Sequence, residues 1–292
     1  MWPGLRHNTG SLARSISMNA FDDRPIGVFD SGVGGLTVLK AIRERLPDEH
    51  YVYLGDTARL PYGTKSPATV LSYARRAAAF LQRHDIKMLV VACNTASAVA
   101  LPDLVRELSP LPVIGVVKPG AEAAVAAVPA GRHLVLATEG TVRLHAYRDA
   151  IAALDSGAIT DELPCELMVA LAEEGWIDDA IAVAIVRRYL EPWFSAEGQF
   201  QPQSLILGCT HFPLLRAAVR EVVGTSISVV DSAATTAGVV SARLQDEGLG
   251  ATPGAKGSLR LLATDGVRRF ARVGGTFLGT ALDASDIELT DL

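Results

Sequence analysis

Two cysteines, Cys93 and Cys209, occupy positions that could support chemistry. Each follows a short apolar run and precedes a helical pattern, so we expect each thiol at the start of a helix. The dipole and backbone N–H groups there favour a thiolate, and a thiol with a pKa of about 8.5 needs only a small shift to act as a base near neutral pH. If one sulfur is a thiolate and the other a thiol, the first can remove a proton while the second delivers one from the opposite face. Such a pair would invert a carbon centre without redox change.

Other sulfur chemistry fits these residues less well. Disulfide exchange is typical of a CxxC motif, whereas 115 residues separate Cys93 from Cys209. Cys165 lies in an ordinary stretch and is interpreted as a small buried side chain. His211, two residues after Cys209, could be a metal ligand, but zinc needs three or four ligands and the sequence offers no convincing partners. We therefore interpret His211 as a group that manages the thiol proton, with a structural role as the alternative.

A glycine-rich segment after the first apolar run carries Asp30 and Ser31. It resembles a dinucleotide-binding loop, but Thr37 occupies the place of the third glycine in GxGxxG. The Lys-Ser/Thr ending of a phosphate-binding loop is also missing, which disfavours a cofactor-dependent oxidoreductase. A carboxylate and a hydroxyl at a helix start would suit the ammonium and carboxylate groups of one small molecule. A simple capped turn is the alternative interpretation.

Short apolar runs alternate with longer helical patterns, which predicts an α/β fold with parallel sheets. The predicted buried strands are residues 26–29, 51–54, 88–92, 113–117, 134–137, 205–207, 228–230 and 259–262. The predicted helices are residues 36–45, 69–84, 121–128, 141–152, 178–193, 213–222 and 233–245.

Four predicted strands end in small polar residues, and ligands of open α/β sheets gather at the carboxyl ends of strands. The four segments are Asp30-Ser31-Gly32, Cys93-Asn94-Thr95, Thr138-Glu139-Gly140-Thr141 and Cys209-Thr210-His211. The run before Cys93 also echoes the run before Cys209, which is either a trace of duplication or chance. Two similar halves, each with a cysteine at a strand end, predict a site in the cleft between them.

The composition limits the classes of function. The chain has 292 residues, 49% hydrophobic and 20% charged, which suits two modest globular domains. A net charge of −5 without a basic stripe predicts no nucleic-acid partner. No apolar run reaches the ~18 residues of a membrane span, and residues 1–23, predicted to be a flexible extension, lack the apolar core of a secretory signal. Three sparse cysteines indicate a reducing cytoplasm.

Five motifs, in order and spacing, resemble the glutamate racemase family. They are residues 27–35 (GVFDSGVGG), 61–63 (PYG), 90–96 (VVACNTA), 208–215 (GCTHFPLL) and 230–232 (VDS). The resemblance implies two similar α/β domains with the active site in the cleft between them, and no pyridoxal phosphate or metal. The first domain would be discontinuous, with residues 24–117 and 232–292, and the second would span residues 118–231.

The resemblance also implies roles for individual residues. Cys93 and Cys209 would be the two catalytic bases, with Cys93 acting on D-glutamate and Cys209 on L-glutamate. The implied catalytic helpers are Asp30, His211 and Glu173, with Glu174 as a rival for the last. The residues implied to bind substrate or support the thiols are Asp30, Ser31, Tyr62, Gly63, Asn94, Thr95, Thr210 and His211. One departure is Leu144, where many members carry a serine.

The predicted function is therefore cofactor-independent interconversion of L- and D-glutamate, which in this family supplies D-glutamate for peptidoglycan. An aspartate racemase and a catalytically silent amino-acid-binding regulator are the alternatives. The predicted partner is the small-molecule substrate, with neither nucleic acid nor membrane, and a homodimer is the candidate assembly. The N-terminal extension resembles those of members regulated by a cell-wall precursor.

Overall fold

The computed structural model describes residues 21–194 and 200–292 and confirms an α/β fold with two parallel sheets. Most strands are short runs whose side chains are buried on both faces, as in sheets covered by helices on each side. The first 20 residues of the predicted extension lie outside the described residues. The strands are β1 Ile26–Asp30, β2 Tyr51–Gly55, β3 Met88–Val91, β4 Val113–Gly115, β5 Arg132–Ala137, β6 Ile159–Pro164, β7 Ser204–Gly208, β8 Ser228–Asp231, β9 Leu259–Ala263 and β10 Ile287–Leu289.

Eleven α-helices lie within the described residues, and several differ from the predicted ranges. The predicted helix 141–152 is two helices, because His145 takes a left-handed backbone conformation with φ of 52°. The strand predicted over 113–117 ends at Gly115, and the next helix begins at Val117. The helices are α1 Leu36–Arg45, α2 Pro67–Gln82, α3 Asn94–Leu108, α4 Val117–Ala127, α5 Glu139–Arg143, α6 Ala146–Leu154, α7 Glu166–Glu174, α8 Ala180–Phe194, α9 Arg216–Val223, α10 Ser232–Glu247 and α11 Val267–Leu278.

The strand order of each sheet brings the polar strand ends together. The first sheet has the order β10-β9-β2-β1-β3-β4, and the second has β6-β5-β7-β8. In the first sheet Phe29 of β1 pairs with Val91 of β3, so Asp30 ends its strand close to Cys93. In the second sheet Ala137 of β5 pairs with Gly208 of β7, so Thr138 and Cys209 leave the sheet side by side.

The chain crosses from the first sheet to the second after β4 and returns with β9, which pairs with β2. This strand membership supports the predicted division at residues 117 and 231, which stays a prediction. The helix α10 packs on α1 of the first sheet and on α4 of the second. Within residues 21–194 and 200–292, the helices are all too short or too polar to span a bilayer.

Candidate active site

The first cysteine lies where it was predicted, at the junction of β3 and α3. Cys93 is the N-cap residue of α3, and its Sγ accepts a hydrogen bond from the Ala96 backbone N–H at 3.4 Å. The same sulfur lies 3.7 Å from Ser31 Oγ, on the loop that follows β1. The side chain is 6% exposed. The thiol is therefore held by a helix start and by the polar loop of the neighbouring strand.

The prediction that Cys209 starts an α-helix is wrong. In such a helix the Cys209 carbonyl would accept from the N–H of residue 213, but Pro213 has none. The carbonyl instead accepts from Phe212 N at 3.1 Å, which begins a 3₁₀ turn over Phe212–Leu215. The α-helix α9 starts only at Arg216. Cys209 thus lies in a tight turn that directs His211 back towards the sulfur.

A small cavity, of about 60 Å³, lies between the carboxyl edges of the two sheets. Both cysteines line it, although they come from different sheets. Asp30 is the one predicted site residue outside the lining; it is buried beneath the loop, where its Oδ2 accepts from Gly32 N at 2.9 Å. The predicted residues that line the cavity are Ser31, Tyr62, Gly63, Cys93, Asn94, Thr95, Glu173, Cys209, Thr210 and His211.

A cluster of three threonine hydroxyls at the cavity contains two residues that were not predicted as site residues. Thr95 Oγ1 lies 3.0 Å from Thr138 Oγ1 and 3.2 Å from Thr141 Oγ1. Thr95 lies in the first turn of α3, which follows β3 of the first sheet, whereas Thr138 and Thr141 follow β5 of the second. The polar segment after β5, residues 138–141, is the sequence feature that could have indicated both residues. Leu144, where many family members carry a serine, is the C-cap residue of α5 and does not line the cavity.

The glycine-rich loop allows the two sheets to approach each other closely. A Cβ at Gly34 would overlap the Thr210 hydroxyl and the His211 ring. Thr37, which replaces the third glycine of the nucleotide fingerprint, donates from its hydroxyl to the Thr210 carbonyl at 2.9 Å. Gly34 therefore makes room for the turn that carries Cys209.

A chain of polar contacts extends from Cys209 to the surface. His211 Nδ1 lies 3.7 Å from Cys209 Sγ, and His211 Nε2 lies 3.1 Å from Glu173 Oε1. Arg269 of α11 donates to Glu173 Oε2 at 2.6 Å, so a side chain of the first-sheet half contacts α7 of the second. Glu174 is exposed, and Glu173 is the glutamate that contacts the histidine.

The two thiols have different electrostatic surroundings. Burial alone lowers the pKa of His211, but its contacts with Cys209 and Glu173 raise it to about 10, so the imidazole is a cation near neutral pH. Burial raises the pKa of Cys93 to about 12, with the Asp30 carboxyl adding to the rise. Burial also raises the pKa of Asp30. The expectation that the helix start alone would favour a Cys93 thiolate is therefore wrong, because burial outweighs the N–H group of Ala96.

Tyr62 contributes to the cavity through its ring, because its hydroxyl is used elsewhere. It donates to Asp56 Oδ2 at 2.6 Å, and the fully buried Asp56 also accepts from Arg59 at 2.8 Å and from the Thr264 hydroxyl at 2.9 Å. This network holds the 61–63 loop against the ends of β2 and β9, in the first sheet. Across residues 21–194 and 200–292, no three His, Cys, Asp or Glu side chains are grouped as a metal site would need.

Residues 26–240 match the Asp/Glu/Hydantoin racemase family model. The glutamate racemase of Geobacter metallireducens is 47% identical over 259 residues, which cover 89% of this chain and 94% of that protein. The chain belongs to the glutamate racemase family. It is therefore an enzyme of the isomerase class. The family resemblance stated from the motifs is confirmed.

Solved structures of this family share the fold over almost their whole length. A glutamate racemase isoform of Bacillus anthracis superimposes with a TM-score of 0.84 at 35% identity, covering 92% of this chain and 97% of that one. The glutamate racemase from Thermus thermophilus in complex with β-chloro-D-alanine gives 0.82 at 41% identity, covering 93% and 98%. The aspartate racemase of Picrophilus torridus, at 17% identity and 0.53, is similar in fold alone.

Proposed function

We propose that this enzyme interconverts L- and D-glutamate without a cofactor, with Cys93 and Cys209 as opposing acid and base. One observation carries the proposal. The two sulfurs follow strands of different sheets and line the same small cavity. A substrate held between them would present opposite faces of its α-carbon to the two thiols. The glutamate racemase from Francisella tularensis, solved in complex with D-glutamate, supports glutamate as the substrate; it is 32% identical with a TM-score of 0.82.

The different surroundings of the thiols suggest the starting state for L-glutamate. His211, whose pKa is raised, lies 3.7 Å from Cys209 Sγ, and burial favours the thiol form of Cys93. We therefore assign Cys209 as the base for L-glutamate. Cys209 thiolate removes the α-proton, and the C–H electron pair stays on the α-carbon. Cys93 then gives its proton to the opposite face and becomes the thiolate. Return of a proton from Cys209 to Cys93 through solvent completes the cycle with no change in oxidation state.

Polar groups around the cavity suit the charged groups of glutamate. Asn94 Nδ2 is buried without a hydrogen-bond partner among the described residues, and so is Asp30 Oδ1. The amide can donate to a carboxylate, as can the hydroxyls of Thr95, Thr138 and Thr210. We assign the Asp30 carboxyl, close to Ser31 and Cys93, to the protonation of Cys93. The other helpers, Glu173 and His211, act on Cys209.

We further propose that the D-glutamate supplies peptidoglycan synthesis in a reducing cytoplasm, as the family membership implies. The two domains of the proposed enzyme are residues 24–117 with 232–292, and residues 118–231. A homodimer remains the candidate assembly. A strain that requires external D-glutamate tests the physiological role: expression of the enzyme should restore growth without it, and expression of Cys93→Ala should not.

Circular dichroism of the purified enzyme with each enantiomer of glutamate and aspartate tests the reaction. We expect loss of optical activity with both glutamate enantiomers, in buffer that contains a chelator and no added cofactor, and little change with aspartate. Faster racemisation of aspartate would indicate the aspartate racemase instead. Tight glutamate binding without racemisation would indicate the silent regulator.

A further inference from the structure

A tyrosine outside the cavity lining connects the two cysteine segments. Tyr147 lies on α6 of the second sheet and is completely buried. Its hydroxyl donates to Asn94 Oδ1 at 2.7 Å, across the boundary between the two sheets. Asn94 directly follows Cys93 and lines the cavity. The hydrogen bond therefore acts on the residue next to one of the two thiols.

The tyrosine ring also packs against the segment that carries the other thiol. A Cβ at Gly208, the residue before Cys209, would lie 3.0 Å from the ring, and a Cβ at Gly120 of α4 would lie 3.1 Å from it. Both values are shorter than an ordinary van der Waals contact, so the ring occupies space that larger residues at 120 and 208 would need. One rigid side chain thus touches the neighbour of Cys93 and the neighbour of Cys209.

The hydrogen bond fixes which way the Asn94 amide faces. A side-chain amide has one acceptor oxygen and one donor nitrogen on opposite sides. With Oδ1 held by Tyr147, the nitrogen must face away from the tyrosine, and no described residue accepts from this buried Nδ2. A buried donor without a partner is costly, and a carboxylate in the cavity would satisfy it. Rotation of the amide would instead turn an oxygen towards that carboxylate.

We infer that Tyr147 is a positioning residue, whose hydroxyl holds the Asn94 amide with its nitrogen available to a substrate carboxylate and whose ring sets the spacing of the two cysteine segments. This inference rests on the proposed glutamate racemisation. Tyr147 does not touch the substrate, and it acts through Asn94. Its loss should therefore weaken substrate binding more than it slows proton transfer.

Tyr147→Phe removes the hydroxyl and keeps the ring. We expect the KM for glutamate to rise roughly 5- to 10-fold, the effect of one lost hydrogen bond, with kcat within about twofold of wild type. Tyr51→Phe is the matched control, because Tyr51 is also buried and donates one hydrogen bond, to the Leu46 carbonyl at 2.8 Å, far from the cavity. The control should lose a similar amount of thermal stability and keep its KM.

A binding cycle tests whether Tyr147 acts through Asn94. Calorimetric titration with L-glutamate gives Kd for wild type, Tyr147→Phe, Asn94→Ala and the double variant. This measurement does not require a variant to be active. We expect the double variant to bind no more weakly than Asn94→Ala. Effects that multiply in the double variant, or a Tyr147→Phe enzyme that behaves like Tyr51→Phe, would overturn the inference. A wild type that neither binds nor racemises glutamate would instead overturn the proposed function, and this inference with it.

Discussion

Glu173→Gln is the sharpest perturbation of the contacts that support Cys209. The substitution keeps the size and shape of the side chain and removes its charge. Glu173 Oε1 lies 3.1 Å from His211 Nε2, and both side chains are largely buried, with 18% and 11% of their surface exposed. The glutamine oxygen can still accept a hydrogen bond from the histidine. The experiment therefore isolates the contribution of the negative charge to the His211 cation.

The structure gives the size of this contribution. The pKa of His211 rises to about 10 against the effect of burial, and Glu173 is one of the two main causes. A hydrogen bond to a charged group contributes about 1.5–3 kcal/mol, and about 1.4 kcal/mol corresponds to a tenfold change in rate. The neutral hydrogen bond from His211 to the glutamine oxygen retains about 0.5–1.5 kcal/mol of this contribution, so we expect kcat/KM to fall roughly 5- to 10-fold. The fall must be equal in both directions, because the equilibrium constant of a racemisation is one.

The pH profile should change in a defined direction. Without the Glu173 charge the pKa of His211 falls, so the cation beside Cys209 is lost at a lower pH. The alkaline limb of the kcat/KM profile therefore shifts to lower pH. Circular-dichroism rates with both enantiomers, measured from the ordinary histidine pKa of 6.5 up to about 10, show this shift. Glu174→Gln is the control on the same helix and should match wild type. An unmoved alkaline limb, or a loss no greater than that of Glu174→Gln, would refute the reasoning.

The same substitution has a signed effect on stability. The raised pKa of His211 contributes stability that is complete below pH 6.5 and is lost as the pH rises through about 10. The lowered pKa of Glu173 contributes stability that is present above 4.5 and is lost as the pH falls through its folded value. The thermal destabilisation of Glu173→Gln should therefore be greatest between these limits and shrink towards both extremes.

Two further substitutions test the ion pairs Arg269–Glu173 and Lys87–Glu49. Arg269→Ala should lower kcat/KM only about 2- to 5-fold, because the arginine is 61% exposed and such ion pairs are weak; the difference should shrink in high salt, and the adjacent Arg268→Ala should have no effect. Lys87→Met should lower the free energy of unfolding, measured in urea, by about 3–5 kcal/mol, because it leaves the Glu49 carboxylate, 2.5 Å away, buried without a cation. Its kcat/KM should not change, since the pair precedes β2 and β3, at the sheet edge opposite the cavity. Equal loss in Arg268→Ala, or a Lys87→Met loss below about 1 kcal/mol, would contradict these expectations.

The buried strands could be predicted because a strand covered on both faces is a continuous apolar run. β6, at the edge of the second sheet, was missed because the polar residues Thr160, Asp161 and Glu162 interrupt its apolar ones and none of its residues is buried. β10 was missed because it is only three residues long. The amphipathic helix α11 was missed as well, and it carries Arg269 to the site. Elements at a sheet edge form because neighbouring elements pack against them, and a sequence does not show which elements are neighbours.

The kinds of residue at the site could be predicted from the sequence. Their contacts could not, because these depend on how the two sheets approach each other. The polar strand ends indicated the cavity, and the family motifs indicated Cys93 and Cys209. The contact between Tyr147 and Asn94 joins helices far apart in the chain, so no local pattern indicates it. The raised pKa of Cys93 depends on the depth of burial and on Asp30. Local dipole arguments alone cannot give the sign of that shift.

Exchange of the α-proton in heavy water tests the central claim most directly. Neither Cys93→Ala nor Cys209→Ala should racemise glutamate, because inversion needs a donor on one face and an acceptor on the other. Cys93→Ala should exchange the α-proton of L-glutamate only, and Cys209→Ala that of D-glutamate only. Cys165→Ala, which removes a buried thiol outside the cavity, should remain close to wild type. Exchange with the enantiomers swapped would reverse the labels of the thiols, whereas near-normal racemisation in Cys93→Ala or Cys209→Ala would contradict the two-base mechanism.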